Sequence, residues 1–64
     1  MDNQIRLLRK KRKVTQEQLA DALNVTRQTI NAIELGKYSP SLELAFEIAD
    51  YFKRKVDEVF HYRG

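Results

Sequence analysis

The chain has 64 residues and no cysteine, so it can form one small domain, residues 1–64, without disulfides or thiolate metal ligands. Its charged N-terminus argues against a signal peptide, and no run approaches the roughly 18 apolar residues of a membrane-spanning helix, so a cytoplasmic protein is expected. The net charge of +3 favours a polyanionic partner, although many small basic domains bind none.

Apolar residues recur at helical spacing and predict an all-α fold with five helices. The first helix is expected at residues 3–12, with Ile5 and Leu8 facing the core. Thr15 is expected to cap the second helix, Gln16–Leu23, and the glutamine three residues after this threonine completes a capping box.

A short turn is expected between the second and third helices. Asn24 tolerates left-handed backbone geometry, Val25 returns to the core, and Thr26 caps a helix at residues 27–35 that stops at Gly36. Two short helices joined in this way form a helix-turn-helix unit. Its junction is predicted to be filled by Leu19, Ala20, Leu23, Val25, Ile30 and Ile33.

The fourth helix is expected at residues 41–52, with Ser39 as its cap and Pro40 in its first turn. Helical spacing predicts a broad inward stripe along this helix. The stripe consists of Leu42, Ala45, Phe46, Ala49 and Phe52.

The fifth helix is short and contains Val56, Val59 and Phe60. Its cap position is Lys55, a poor capping residue, so its start is expected to fray. The tail HYRG at residues 61–64 could add a short C-terminal strand paired with a second copy of the chain.

The third helix carries an unusual polar face. At about 100° per residue, Ile30 and Ile33 point one way, and the opposite arc contains Arg27, Gln28, Asn31 and Ala32. In a DNA major groove, Gln can pair with adenine, Arg with guanine, and an Ala methyl group can contact thymine. Thr29 lies at the edge, within reach of a phosphate or a thymine. An ordinary solvated face is the alternative, but such faces favour Lys and Glu pairs.

The basic residues are concentrated in the same half of the chain as this helix. Residues 1–40 contain eight basic and four acidic residues, a net charge of +4, whereas residues 41–64 have a net charge of −1. The run RKKRK at residues 9–13 also has a simpler interpretation as a solvated helix end, because the helix dipole favours cations there.

The run TQEQLADALNVTRQTINAIELGKYSPSLELAFEIADYF resembles the Cro/C1-type helix-turn-helix family, the xenobiotic-response-element-like repressors. The resemblance covers about residues 4–60 and rests on TQEQLA, VTRQTI, ExGK and PSLELA. It is strongest to the minimal single-domain members of the cytolysin-operon repressor type. It implies a compact five-helix, lambda-repressor-like DNA-binding domain.

The resemblance implies base-reading roles on the third helix. Arg27 and Gln28 match the two main base-reading positions, and Asn31 and Ala32 match the secondary ones. Gln16 matches a glutamine that binds a phosphate and braces the first reading residue.

Other matched positions have backbone-binding or structural roles. Arg9 and Glu34 match an ion pair between the first and third helices, which is a structural role. Leu35 replaces a polar residue that is common at this position and stays unexplained. The candidate phosphate ligands are Gln16, Arg12, Lys37, Tyr38, Ser39 and Arg6, with Lys10, Lys11 and Lys13 as weaker candidates.

A homodimer is expected, because one such module reads only about four or five base pairs. Two modules on a near-palindromic operator would place their reading helices about 34 Å apart. The candidate dimer contacts are Tyr51, Val59, Phe60 and Tyr62, although Val59 and Phe60 fit an intramolecular core equally well.

The expected function is sequence-specific binding of double-stranded DNA by a transcriptional regulator, a repressor by the family's default. No enzyme, cofactor or metal site is expected, because His61 is the single histidine and no nucleophile–base pair or carboxylate cluster is evident. Regulation would act through a protein or peptide partner, protein concentration or competing DNA binding. The alternative function is a protein-interaction module of the same fold, such as an antitoxin-like or adaptor domain.

Overall fold

The computed structural model describes residues 2–61, which form five helices and a two-stranded antiparallel sheet. The helices are α1 (Ile5–Arg12), α2 (Gln16–Leu23), α3 (Arg27–Glu34), α4 (Leu42–Tyr51) and α5 (Val56–Val59), and the strands are β1 (Asp2–Asn3) and β2 (Phe60–His61). The predicted helical class, the five helices and a short C-terminal strand are confirmed. Within this range, no helix combines the length and apolar character needed to cross a membrane.

Helices α2 and α3 begin at threonine hydroxyl groups that accept backbone N–H groups of the first turn. The Thr15 hydroxyl accepts from the backbone N–H of Gln18 at 3.0 Å, and the Gln18 side chain accepts from the Thr15 N–H at 2.9 Å. The predicted capping box is therefore confirmed. The Thr26 hydroxyl caps α3 by accepting from the backbone N–H of Thr29 at 3.2 Å, also as predicted.

The starts of α4 and α5 differ from expectation. Ser41 caps α4, because its hydroxyl accepts a first-turn backbone N–H at 3.1 Å, so Ser39 is not the cap and Pro40 precedes the helix. At α5 the Lys55 side chain makes no capping bond, but the Glu58 carboxylate accepts the Lys55 backbone N–H at 2.8 Å. The start of α5 is therefore held by its own acidic first turn.

Helices α1 to α4 all end with the same turn, the Schellman motif. In each, a residue with positive φ donates its N–H three residues back, and the next residue donates five residues back. The four residues are Lys13 (φ 57°), Asn24 (φ 59°), Gly36 (φ 74°) and Lys53 (φ 54°). The geometry predicted for Asn24 and the stop at Gly36 are confirmed. The two lysines give no local signal for this conformation, in which a side-chain β carbon is crowded.

The buried side chains form one hydrophobic cluster to which all five helices contribute. Its members are Ile5, Leu19, Ala20, Ile30, Ile33, Ala45, Ile48, Ala49, Phe52, Val59 and Phe60. Leu8, Leu23 and Val25 are partly buried and pack against it. The residues predicted for the junction of α2 and α3 therefore all contribute to the core or its margin.

The predicted inward stripe of α4 is partly wrong. Ile48 is fully buried, whereas Leu42 and Phe46 are 72% and 57% exposed. A stripe that contains Ile48 and one that contains Leu42 and Phe46 both have helical spacing, so periodicity does not show which of them faces the core. Packing of α4 against α2 and α5 turns Ile48 inward and leaves Leu42 and Phe46 on the outer edge of the helix.

Two of the predicted dimer contacts are core residues. Val59 and Phe60 are 0% and 7% exposed, because α5 and β2 close the core within one chain. Both side chains are therefore part of the core of one chain, and the edge of Phe60 that stays exposed borders the groove between α4 and α5. Tyr51 is half-buried and lies edge-on to Phe52, with ring centroids 5.0 Å apart. Tyr62 lies outside the described residues.

Strands β1 and β2 pair within one chain, with Asp2 opposite His61 and Asn3 opposite Phe60. The predicted helix start at residue 3 is wrong, because Asn3 belongs to a strand. Its Oδ1 accepts a backbone N–H from the start of α1 at 3.2 Å, and its Nδ2 donates to the carbonyl of Ile33 at 2.8 Å. His61 pairs with this chain's own β1, and the rest of the tail, which is expected to pair with a second copy, lies outside the described residues.

Candidate nucleic-acid interface

Helices α2 and α3 form the helix-turn-helix unit. Ala20 is 2% exposed where the two helices meet, so a larger side chain there would force them apart. Asn24 makes the left-handed turn between them, and Ile30 and Ile33 attach α3 to the core with 0% and 1% exposure. The opposite side of α3 is left facing outward.

The outward side of α3 is polar. Arg27 and Gln28 are exposed, and neither side chain makes a hydrogen bond with any residue in the range 2–61. Asn31 is exposed one turn later, whereas Ala32 is half-buried. Thr29 is half-buried too, and its hydroxyl lies 3.0 Å from the hydroxyl that caps the helix. The accessible polar groups of this face are therefore those of Arg27, Gln28 and Asn31.

Arg9 on α1 and Glu34 at the end of α3 form a bidentate ion pair. Arg9 Nε lies 2.7 Å from Glu34 Oε2, and Arg9 Nη2 lies 3.1 Å from Glu34 Oε1. Arg9 Nη1 also donates to the carbonyl of Val14 at 2.9 Å. The two charged side chains are 12% and 4% exposed, so the pair is nearly enclosed. This pair, which the family resemblance implies, ties α1 to α3.

Gln16 opens α2 and bridges to α3. Its Nε2 donates to Asn31 Oδ1 at 3.0 Å and to Glu34 Oε1 at 3.2 Å. It therefore braces Asn31 and not Arg27 at the start of α3, which corrects the expected partner. Both Nε2 protons are used by these bonds, so the side chain has no donor left for a phosphate, which accepts hydrogen bonds only.

Arg12 caps α4 and does not face the polar side of α3. Its Nη1 donates to the carbonyl of Tyr51 and its Nη2 to the carbonyl of Phe52, both at 3.0 Å. Its guanidinium carbon lies 5.7 Å from the centre of the Phe52 ring. A cation at this place satisfies the carbonyl end of the helix and attracts the ring face. Arg12 therefore has a structural role at the end of α4 that its position in the basic run does not predict.

A basic cleft lies between the end of α1, the start of α2 and the start of α3. It is lined by Arg9, Lys10, Lys13, Val14, Thr15, Gln16, Glu17 and Arg27. Arg9 is neutralised by Glu34, which leaves three cationic residues against one acidic residue, so the cleft has a positive field. Lys10 and Lys13, two of the weaker phosphate candidates from the sequence, line the same cleft as Arg27. The sequence signal for this region is the basic run at residues 9–13, which by itself does not separate these two lysines from Arg12.

The other predicted phosphate ligands lie at the opposite end of α3 or on α1. In the loop after α3, the candidate phosphate ligands Lys37, Tyr38 and Ser39 are all exposed. Arg6 on α1 is exposed and lines a small hollow together with Asn31 and Leu35. Leu35 is 58% exposed and is the one apolar residue among the described residues that line this hollow.

An apolar groove lies between the start of α4 and α5. It is lined by Pro40, Leu42, Ala45, Phe46, Val56, Asp57 and Phe60. Leu42 is the most exposed large apolar side chain of the described residues. The groove begins at Pro40, the residue that follows the exposed loop at 37–39. This apolar surface is therefore adjacent in sequence to the end of the polar region.

Comparison with known proteins places this arrangement in a family. A family model described as helix-turn-helix matches residues 5–59, which include all five helices. An uncharacterised HTH-type transcriptional regulator of Methanocaldococcus jannaschii is 52% identical over 62 residues, 97% of this chain and 94% of the relative.

Two further relatives have the same description. One from Bacillus subtilis is 45% identical over 60 residues, which cover 94% of this chain and 91% of the relative. One from Methanothermobacter thermautotrophicus is 51% identical over 57 residues, which cover 88% of this chain and 83% of the relative. The family model and these relatives cover nearly the full chain, and the chain belongs to the helix-turn-helix family, in the Cro/C1 type that its motifs indicate.

Proposed function

We propose that this protein is a sequence-specific DNA-binding transcriptional regulator, acting as a repressor, with α3 in the major groove. The observation that carries the proposal is the outward face of α3, where Arg27 and Gln28 have no hydrogen-bond partner in residues 2–61. Unpaired polar groups on a rigid, core-anchored helix are what base-edge recognition requires. The relatives' names, HTH-type transcriptional regulators, support the same function.

Phosphate contacts at both ends of α3 would set its register on the duplex. Near its start, the basic cleft offers Lys10 and Lys13. Beyond its end, the exposed loop offers Lys37, Tyr38 and Ser39. Arg6 is retained as a further phosphate ligand, whereas Arg12 and the Gln16 side chain are not. Both cationic regions flank the polar face, which supports a duplex lying along α3.

The proposed assembly is a homodimer on a near-palindromic operator. An eight-residue helix is about 12 Å long and spans only a few base pairs, so one copy discriminates poorly between sites. The second copy is assigned to the apolar groove, where Leu42 and Phe46 are exposed. Exposed apolar side chains side by side on a small basic protein favour association with another apolar face. A two-fold axis at this groove uses the same surface from each copy.

Selection of bound duplexes from a random pool, followed by titration at several salt concentrations, tests the proposal. We expect enrichment of a near-palindrome whose half-sites are about one helical turn apart, with affinity that falls steeply with salt. The salt slope reports the number of phosphates that the protein neutralises. Weak binding that is indifferent to sequence would contradict the proposal and favour a protein-interaction module of the same fold.

A further inference from the structure

A chain of hydrogen bonds runs from the core to the outward face of α3. The Arg9 guanidinium donates to the Glu34 carboxylate, and Gln16 Nε2 donates to Glu34 Oε1 at 3.2 Å. The same Nε2 donates to Asn31 Oδ1 at 3.0 Å. The bonds therefore connect an enclosed ion pair to a side chain that the proposed function places among the base-reading groups.

The Glu34 carboxylate decides which group donates and which accepts in each of these hydrogen bonds. A carboxylate that is paired with a guanidinium offers acceptors only, so Gln16 must turn its Nε2 toward Glu34. The second proton of Gln16 Nε2 points at Asn31, so the amide oxygen of Asn31 must be the acceptor. Reversing either amide would place two acceptors or two donors against each other at about 3 Å, and at the part-buried contact with Glu34 this would leave enclosed acceptors unpaired.

We infer that the hydrogen bonds from Glu34 through Gln16 to Asn31, the relay, hold the Asn31 amide with Oδ1 toward Gln16. This orientation presents Nδ2, which can only donate, to the base edge. Within residues 2–61, Nδ2 has no partner. Guanine, thymine and the N7 atom of adenine offer acceptors in the major groove, whereas cytosine offers the N4 donor. Asn31 therefore favours guanine or thymine, is limited to a single bond with N7 of adenine, and disfavours cytosine. It does not make the bidentate adenine contact of an unrestrained asparagine, because that contact needs the amide oxygen.

The test rests on the proposed function and measures preference at a single base pair. The Asn31→Ala variant identifies the base pair that Asn31 reads, because sequence preference is lost there. Four duplexes that differ only at this base pair are then compared. We expect wild-type protein to bind the duplex with cytosine facing Asn31 about tenfold more weakly than the best duplex. Asn31→Asp keeps the acceptor toward Gln16 and replaces the exposed donor by an acceptor. The order of the four duplexes should then reverse in favour of cytosine, even though the added negative charge lowers every affinity.

Gln28→Glu is the matched control, since it makes the same amide-to-carboxylate change on the same face, without a relay. It should leave the order at the Asn31 base pair unchanged. Specific binding in which wild type prefers cytosine, or in which Asn31→Asp keeps the wild-type order, overturns the inference and leaves the proposed function standing. Wild-type binding without any sequence preference overturns the proposed function, and with it this inference.

A second measurement needs no DNA. In NMR spectra of the free protein, the Gln16 side-chain amide protons should exchange slowly with solvent and the Asn31 side-chain amide protons rapidly. Glu34→Gln replaces the carboxylate, which can only accept, with an amide that can also donate. This variant should reduce the difference in exchange rate between the Gln16 and Asn31 side-chain protons. Slow exchange at Asn31 together with rapid exchange at Gln16 in the wild type would overturn the inference.

Discussion

The guanidinium of Arg9 and the carboxylate of Glu34 lie 2.7 Å apart, although 25 residues separate them in the sequence. One stands on α1 and the other closes α3, so the pair joins the first helix to the reading helix. With exposures of 12% and 4%, neither charge has free access to water. Loss of one partner therefore leaves the other charged and poorly solvated.

Removing one member of this pair should destabilise the protein strongly. Glu34→Ala should lower the free energy of unfolding by about 3 kcal/mol, because the Arg9 charge then stays enclosed without its partner. Urea unfolding followed by circular dichroism measures the change. The double variant Arg9→Met with Glu34→Leu should regain most of the loss. A single variant as stable as wild type would show that the pair is solvated in solution.

Lys53→Gly should stabilise the protein. Lys53 has φ 54° at the end of α4, where a β carbon costs about 1–2 kcal/mol and glycine has no such strain. After the greater flexibility of glycine in the unfolded chain is subtracted, a gain of about 0.5–1 kcal/mol is expected. A melting temperature higher by several degrees, roughly 4–8 °C per kcal/mol, would report it. Arg54→Gly, at a position without positive φ, is the control and should destabilise.

Arg12→Ala should reduce stability and spare DNA binding. The change removes two hydrogen bonds to the end of α4 and a cation–π contact, and should lower the free energy of unfolding by about 1–2 kcal/mol. Its affinity for DNA and its salt slope should match wild type at a temperature where both are folded. A salt dependence of affinity shallower by about one unit would instead indicate that Arg12 binds a phosphate.

Gln28→Ala and Lys37→Ala should weaken binding in different ways. Gln28→Ala should lose about 1–3 kcal/mol at one base pair and relax the preference there. Lys37→Ala should weaken binding to all sequences alike and reduce the salt slope by about one. Competition titrations with single-substitution duplexes distinguish the two patterns. An unchanged site preference in Gln28→Ala would exclude it from base reading.

The apolar groove should control the oligomeric state. The double variant Leu42→Gln with Phe46→Gln replaces two exposed apolar side chains and should weaken self-association by at least about 2 kcal/mol. Sedimentation at micromolar concentration would detect the shift from dimer to monomer. Leu7→Gln, at a residue on α1 that is 51% exposed, should leave the oligomeric state unchanged. A wild-type protein that is strictly monomeric would contradict the dimer.

The candidate site was only partly predictable from the sequence. Some of its residues are positioned by their own helix, and others by contacts with a distant part of the chain. Arg27 and Gln28 follow a helix cap and sit opposite two isoleucines, so their outward position follows from helical periodicity alone. Arg12 belongs to the same basic run as Lys10 and Lys13, and nothing local separates them. Only the approach of the end of α4 decides that Arg12 donates to its carbonyls.

The sequence by itself determined the features in which a residue acts on its neighbours along the chain. Thr15 and Thr26 cap the helices they precede, and Asn24 turns between α2 and α3, because these effects span only a few residues. Tertiary structure alone decided which apolar stripe of α4 faces inward, with Ile48 buried and Phe46 exposed.

Tertiary structure also decided the pairing of β1 with β2 and the bonds that connect Gln16 to α3. These contacts join residues that are distant in the chain, so they depend on how whole helices pack. A periodic pattern or a turn signal carries no information about such partners, because each reports only its own segment of the chain. For the proposed interface, sequence therefore identified the reading helix, and packing decided which of its side chains are free and how Asn31 is oriented.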